Sequence, residues 1–322
     1  MIRVTSALIA APFALFAYVT PAPAQVARTS AAADPGLART YVSSVNGNDG
    51  NDCNRLTPCR TFQVAHDKTL ANGEITVLDP GGYGAVTITK TISIINDGVG
   101  EAGVLVSGGL IGITVNAGPF DRVSLRGLTV KGIGFGGGNG IRFNTGASLT
   151  IENSAIRNHT GDGIQMLGNV PAGAQPAFIL SNTFVADNGG NGILVQPGGT
   201  VGSLRVTLTR VEMYNNSANG FAVTSPIARV TIADSTASHN GFSGFSATNN
   251  SSLAVKRVVA AHNAVDGIIF DQALGFPSEA IALYNLGFDI RCANHGTVVV
   301  FHDSVVNSFD VGNCSVSTPA KF

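Results

Sequence analysis

The chain has 322 residues, of which 12% are charged, and its net charge is −1. That balance offers no basic face for a phosphate backbone, so nucleic acid is excluded as the expected partner. Its 40 glycines, absence of tryptophan and second half crowded with Val, Ile, Thr, Ser and Asn favour short strands joined by tight turns.

In chain order, residues 1–24 read as a signal peptide. Arg3 supplies a basic start, Ala7 to Val19 an apolar run, and Ala22-Pro23-Ala24 a small-residue cleavage site before Gln25. The run is too short, and too soon broken by Pro21 and Pro23, to remain as an anchor. No other stretch approaches spanning length, so the expectation is a secreted or periplasmic protein without a membrane span. Residues 25–39, rich in Ala, Ser and Thr and without periodicity, read as a flexible lead-in.

Residues 40–74 are expected to form an N-terminal cap. Cys53 and Cys59 bound one short loop. Phe62, Ala65 and Leu70 recur at helical spacing within Arg60 to Leu70, before Asn72-Gly73, and predict a short amphipathic helix over the first coil's open core.

Residues 75–322 carry an internal repeat. Asn188, Asn216, Asn240, Asn263, Asn285 and Asn307 follow one another at steps of 28, 24, 23, 22 and 22 residues, and His159 fills the same slot 29 residues before Asn188. Four residues after most of them comes glycine and then an apolar residue, as in Gly192-Ile193, Gly220-Phe221 and Gly267-Ile268. These apolar residues open alternating strands such as Ile164/Met166 and Ile193/Val195. A second strand ends eight residues before each Asn, with inward pairs Leu149/Ile151, Phe178/Leu180, Val206/Leu208, Val230/Ile232 and Leu253/Val255. Equivalent strands then stack in parallel about 4.8 Å apart, with the Asn side chains forming a ladder. The predicted fold is all-β: a single right-handed parallel β-helix with a short N-terminal capping helix.

Four cysteines in an exported chain suggest two disulfides, with three possible connectivities. Cys53 and Cys59 pair most simply within their loop, which leaves Cys292 for Cys314. Each of these last two lies seven residues after its Asn, which predicts equivalent places on adjacent coils.

Tyr41-Val42-Ser43, Asn48-Asp49 and Pro58-Cys59-Arg60-Thr61-Phe62 resemble the N-terminal entry of exported bacterial right-handed β-helix repeat proteins of the pectate-lyase-like superfold. Leu78-Asp79-Pro80-Gly81-Gly82-Tyr83 and the segment from Leu149 to Ile156 carry the same resemblance. It covers nearly all of the chain after the signal peptide and implies the fold, whereas the superfold hosts lyases, hydrolases, epimerases and non-enzymatic adhesins. The Asn-Thr-Asp, Asp-Asp, Gly-His-Gly and Arg-Ile-Lys signatures of polygalacturonases are absent. So is the Asp-Pro-His of alginate epimerases, since Gly81 follows Asp79-Pro80.

Candidate sites come from columns of the repeat. Six residues before the Asn column stand Asn153, Asn182, Arg210, Asp234, Arg257 and Glu279, the last four alternating in charge. They read either as a surface ion-pair ladder, the simpler case, or as a groove where Arg210 and Arg257 hold sugar carboxylates while Asp234 acts as base. His239 and His262 stand one residue before the Asn column. Two stacked imidazoles are an incomplete metal site, and a solvated turn column is the simpler reading. Neither a metal nor a cofactor is expected.

Insertions at Gly168 to Pro176 and Pro197 to Ser203 follow the same strand in adjacent coils and mark where a groove is to be sought. Gly132 to Gly137 fits a G-x-G-x-x-G pattern, but no helix follows, and it reads as a turn. Arg142 and Gln165 read as exposed strand residues. With only Tyr41, Tyr83, Tyr214 and Tyr284 after the signal peptide, aromatic platforms for glycan are scarce. The expected function is a non-catalytic exported β-helix for surface attachment, scaffolding or polysaccharide contact. The alternative is a polysaccharide lyase or glycoside hydrolase acting on an acidic glycan.

Overall fold

The computed structural model describes residues 36–133, 137–168, 175–198, 202–299 and 303–317. The expected signal peptide, most of the expected lead-in, the centre of the glycine run and the middle of both insertions lie outside the described residues. From Gly36 the chain is nearly all β, a right-handed parallel solenoid of about 9 turns with one short helix.

Strand β1 (Leu37–Val42) begins three residues inside the expected lead-in, because it pairs in parallel with β2 (Thr69–Val77) and Arg39 reaches Glu74 at 3.1 Å. Helix α1 (Phe62–Lys68) lies between them, and the Thr61 side chain caps it by accepting from the Val64 N–H. Phe62 and Ala65 are buried against the core, as the spacing predicts, but the helix ends at Lys68 and Leu70 is an exposed residue of β2. Asn72-Gly73 is not the boundary expected: β2 runs straight through it. There the register against β1 shifts, and a Cβ on Gly73 would lie 2.6 Å from the Ala38 carbonyl oxygen.

The cap is locked by Asp79, which accepts from the Ser43 hydroxyl, the Ser44 N–H and the Tyr83 hydroxyl. Partial burial alone would raise its pKa, but these hydrogen bonds outweigh it and hold the carboxyl at about 2. Stability from this group is therefore complete above the ordinary aspartate pKa near 4 and is lost as pH falls through about 2. Asp79→Asn should cost about 1–2 kcal/mol near neutral pH, since the carboxyl is partly solvated. It should also flatten the acid limb of a stability-versus-pH titration; an unchanged limb would show that Asp79 does not lock the cap.

Past the cap the coils are built on three strands, the second and third running together in two coils as Ala177–Ala186 and Leu204–Tyr214. Ten stack into a first face, running from Val86–Ile88 through Ile164–Met166 and Ile193–Val195 to Phe309–Asp310. Its inward columns are continuous: Ile141, Ile164, Ile193, Phe221, Phe245, Ile268 and Ile290 pair in order. The second face pairs Leu149, Phe178, Val206, Val230 and Leu253 in the register read from the repeat. All are buried, and each such side chain stabilises by about 1.5–3 kcal/mol. The third strand is short in other coils, as at Thr236–Ser238 and Val259–Ala261.

The Asn ladder runs through the turn after that third strand. Asn188, Asn216, Asn240 and Asn263 each donate Nδ2 to the Oδ1 of the Asn one coil on, at 2.9–3.0 Å. Each of these Asn oxygens also accepts a backbone N–H from the coil before, from His159 onward. Glycine recurs four residues later because the ladder needs room: a Cβ on Gly220 would lie 2.9 Å from Asn240 Nδ2.

The last coil departs from the repeat. Ile281 pairs with Val305, but Ile290 pairs with Phe309, so the intervening turn is five residues shorter. Asn307 consequently leaves the column. Asp289 ends the ladder instead, accepting from Asn285 Nδ2 and from the N–H groups of Asn307 and Ser308.

Both disulfides, Cys53–Cys59 and Cys292–Cys314, are present. The second does not follow from equivalent register: Arg291 pairs with Asp310, which puts Cys292 opposite Val311. Cys314 reaches it from the following turn, with Cα atoms 6.0 Å apart.

Candidate functional site

The columns singled out in the sequence are corners of the coil. Arg210, Asp234, Arg257 and Glu279 have φ of 53°, 51°, 51° and 48°, and Asn153 and Asn182 share that left-handed conformation. His239, His262 and Tyr284 do likewise at φ of 57°, 56° and 59°. The two columns bracket the third face, five residues or roughly 15 Å apart. The charged and histidine candidates therefore do not form one site.

Within the charged column, Arg257 grips Asp234 with two hydrogen bonds, Nε to Oδ1 at 2.6 Å and Nη2 to Oδ2 at 3.0 Å. Glu279 lies 3.2 Å from Lys256 and 3.9 Å from Arg257. Arg210 turns the other way, donating Nε to Asn182 Oδ1 at 2.5 Å. The hydrogen bond and charge of Arg257 hold the Asp234 carboxyl below the usual carboxylate range, which makes it a weak base at neutral pH.

The column lies in solvent, so its pairs are screened and individually weak. Asp234→Lys would nevertheless set a lysine beside Arg210, Lys256 and Arg257. Its melting temperature should fall below that of Asp187→Lys, a matched change in the other left-handed column; equal melting temperatures would refute a cooperating ladder.

His239 and His262 lie with ring centroids 5.1 Å apart and planes tilted by 32°, and Tyr284 stacks on His262 at 5.4 Å and 9°. A stack of this kind offers solvent its ring edges more than its faces. It includes no acid or sulfur ligand, and no cluster of three metal-binding side chains occurs among the described residues.

Two further features stand out, of which the first went unread in the sequence. One is a second ladder three residues after the Asn column. Asn139, Asp162, Asn191, Asn219, Ser243 and Asp266 successively accept or donate from coil to coil. Its signal was a polar residue before the recurring glycine. Gln165 leans onto this ladder, accepting from Asn139 and Arg142 and donating to Asp162, so Arg142 and Gln165 are half-buried partners rather than free strand residues.

The other feature is a cavity of about 500 Å³ at the turn between the first and second faces, flanked by Gly168, Pro176, Pro197 and Leu204, where the insertions leave and rejoin the coil. Phe143 and Met166 form its floor, and Phe120, 90% exposed, stands at its rim. The turn opens because the first-face register shifts between Phe143 and Thr145, leaving Asn144 as an extra residue. Asn144 donates its Nδ2 to Asn116 Oδ1 at 2.8 Å on the preceding coil.

Among the described residues no helix is long and apolar enough to cross a membrane.

Comparison with known proteins agrees with this architecture. Residues 172–321 match the family model of the right handed beta helix region. Among solved structures the chain is similar to pectate lyase Pel9A, at 18% identity over 88% of this chain and 78% of that one, with a TM-score of 0.59. It is also similar to the enzymatically active domain of tailspike protein 2 of bacteriophage CBA120, at 12% identity over 76% of this chain, with a TM-score of 0.56. The match spans only 42% of that tailspike chain. No curated protein matches the sequence. Identities this low establish the pectate-lyase-like fold and nothing about activity.

Proposed function

We propose, for a chain with the pectate-lyase-like right-handed β-helix fold, that it is an exported protein which holds polysaccharide without cleaving it. The observation that carries this reading is that the charged candidates are engaged with neighbouring coils rather than gathered around an open groove. Asp234 is committed to Arg257, and Arg210 to Asn182, so neither a free base nor an open pair of guanidinium groups stands ready for a uronic acid. The first face beside the rim is better suited to contact. Asn116, Asn144, Arg142 and Gln165 present amide and guanidinium groups, and the exposed Phe120 offers an apolar ring. Two disulfides and the signal peptide read in the sequence support export.

The test is retention on insoluble polysaccharides alongside an assay for product ends, across neutral and uronic-acid glycans. Wild-type protein should be retained by at least one polymer, and Phe120→Ala and Asn144→Ala should each lower retention at least fivefold. New unsaturated or reducing ends that vanish in Arg210→Ala and Asp234→Ala would replace this reading with a lyase or hydrolase at the charged column.

A further inference from the structure

The cavity has a chemistry of its own, distinct from the amide strip that borders it. Its floor rests on the solenoid core: Phe143 and Met166, 4% and 1% exposed, both line it. Ala147, Pro176 and Leu204 continue the wall, and no charged side chain is among its described lining residues. A charged ligand entering here would lose its hydration without gaining a counter-charge. A neutral apolar one would exchange water contact for packing against Phe143, Met166 and the ring of Phe120. The Asn144 amide at the edge, tied to Asn116, can serve one neutral polar atom. The volume of about 500 Å³ falls within the range of small-molecule sites, roughly 300–1,000 Å³, and exceeds the roughly 150 Å³ that holds a benzene.

We propose that this cavity, opened by the extra residue Asn144 between Ile113–Asn116 and Ile164–Met166, is a binding site for a neutral apolar group, an aryl ring or short acyl chain. The group can arrive as a free small molecule or as a substituent carried on a sugar. The site stands on its own walls and does not require that the protein bind polysaccharide.

The probe is N-phenyl-1-naphthylamine, which is neutral and brightens in apolar surroundings; the protein has no tryptophan to interfere. Purified full-length protein should bind it saturably at one site. Ala147→Phe, which fills the cavity from its wall, should weaken binding at least tenfold, and the smaller Ala147→Leu by less. Leu286→Ser, at an exposed position outside the cavity, should leave affinity unchanged. Melting temperatures identify any variant that fails to fold, in which case Ala147→Leu alone decides.

Displacement separates the two sources. Benzyl β-glucoside outcompeting benzyl alcohol indicates a group carried on sugar; equal or weaker competition indicates a free molecule. Unsaturable fluorescence, unchanged affinity in a folded Ala147 variant, loss of binding in Leu286→Ser, or failure of both competitors would overturn the proposal. A protein that takes the probe but is retained by no polysaccharide would retract only the function proposed above.

Discussion

Asn240→Ala should destabilise the protein by about 3 kcal/mol or more, although it removes only a small polar side chain. Asn240 is 1% exposed and makes four hydrogen bonds. Its Oδ1 accepts from the N–H and the Nδ2 of Asn216, and its Nδ2 donates to the Met213 carbonyl and to Asn263 Oδ1. Alanine leaves these partners unsatisfied in a closed turn, each at about 1–3 kcal/mol, with no route for water through the packed coils. A fall in melting temperature of about 5–10 °C should follow. Asn240→Asp should be worse, because its second oxygen would face the Met213 carbonyl and Asn263 Oδ1 with nothing to donate. The control is the neighbouring Asn215→Ala, exposed and bonded only to Asp187 at 3.4 Å. It should cost about 1 kcal/mol, for placing alanine at φ near 50°. Thermal unfolding of the three variants decides the matter. If Asn240→Ala and Asn215→Ala melt together, the buried ladder is not what closes the turns.

The same contrast explains what could be read in the sequence. The first and second faces were legible because each strand buries two apolar residues around a polar one, as in Ile164 and Met166 or Leu149 and Ile151. The third strand of the later coils was harder to read, because its inward pair often includes a small or polar residue, as in Ser154/Ile156, Thr183/Val185 and Ser235/Ala237. Of the columns flanking it, the histidine column was recognised as a turn but the charged column was not recognised as a corner. Asn153, Asn182 and Asp187 are residues that tolerate left-handed backbone, whereas Arg210, Arg257 and Tyr284 at the same corners disguise the requirement. Charge alternation in one column then invited a functional reading where backbone geometry is the common property. The insertions did point to the cavity, yet its opening depends on Asn144, one extra residue in a strand whose composition is otherwise ordinary. A bulge changes register without changing hydrophobic pattern, so nothing in the spacing announced it.

Removing the Cys292–Cys314 bond with paired serine substitutions should cost about 3 kcal/mol, concentrated in the final coils. The bond closes a loop with a sequence separation of 22, against 6 for Cys53–Cys59, where the same chain-entropy argument gives about 2 kcal/mol. The location matters more than the loop length. The N-terminal coil also has α1, the Asp79 network and the pairing of β1 with β2 to hold it. The last coil has broken register, a ladder ended by Asp289, and short strands at Val305–Val306 and Phe309–Asp310. Because each coil contacts mainly its neighbours, loosening the last one should not unfold the rest. Limited proteolysis should therefore cut the Cys292→Ser, Cys314→Ser protein after about residue 290, while global melting shifts little. The Cys53→Ser, Cys59→Ser protein should resist the same protease. Mass mapping of the oxidised wild type should return Cys53–Cys59 and Cys292–Cys314. Early cleavage spread along the whole rod, or a large cooperative fall in melting temperature, would mean that the bond stabilises the solenoid as one unit and that its coils are not quasi-independent.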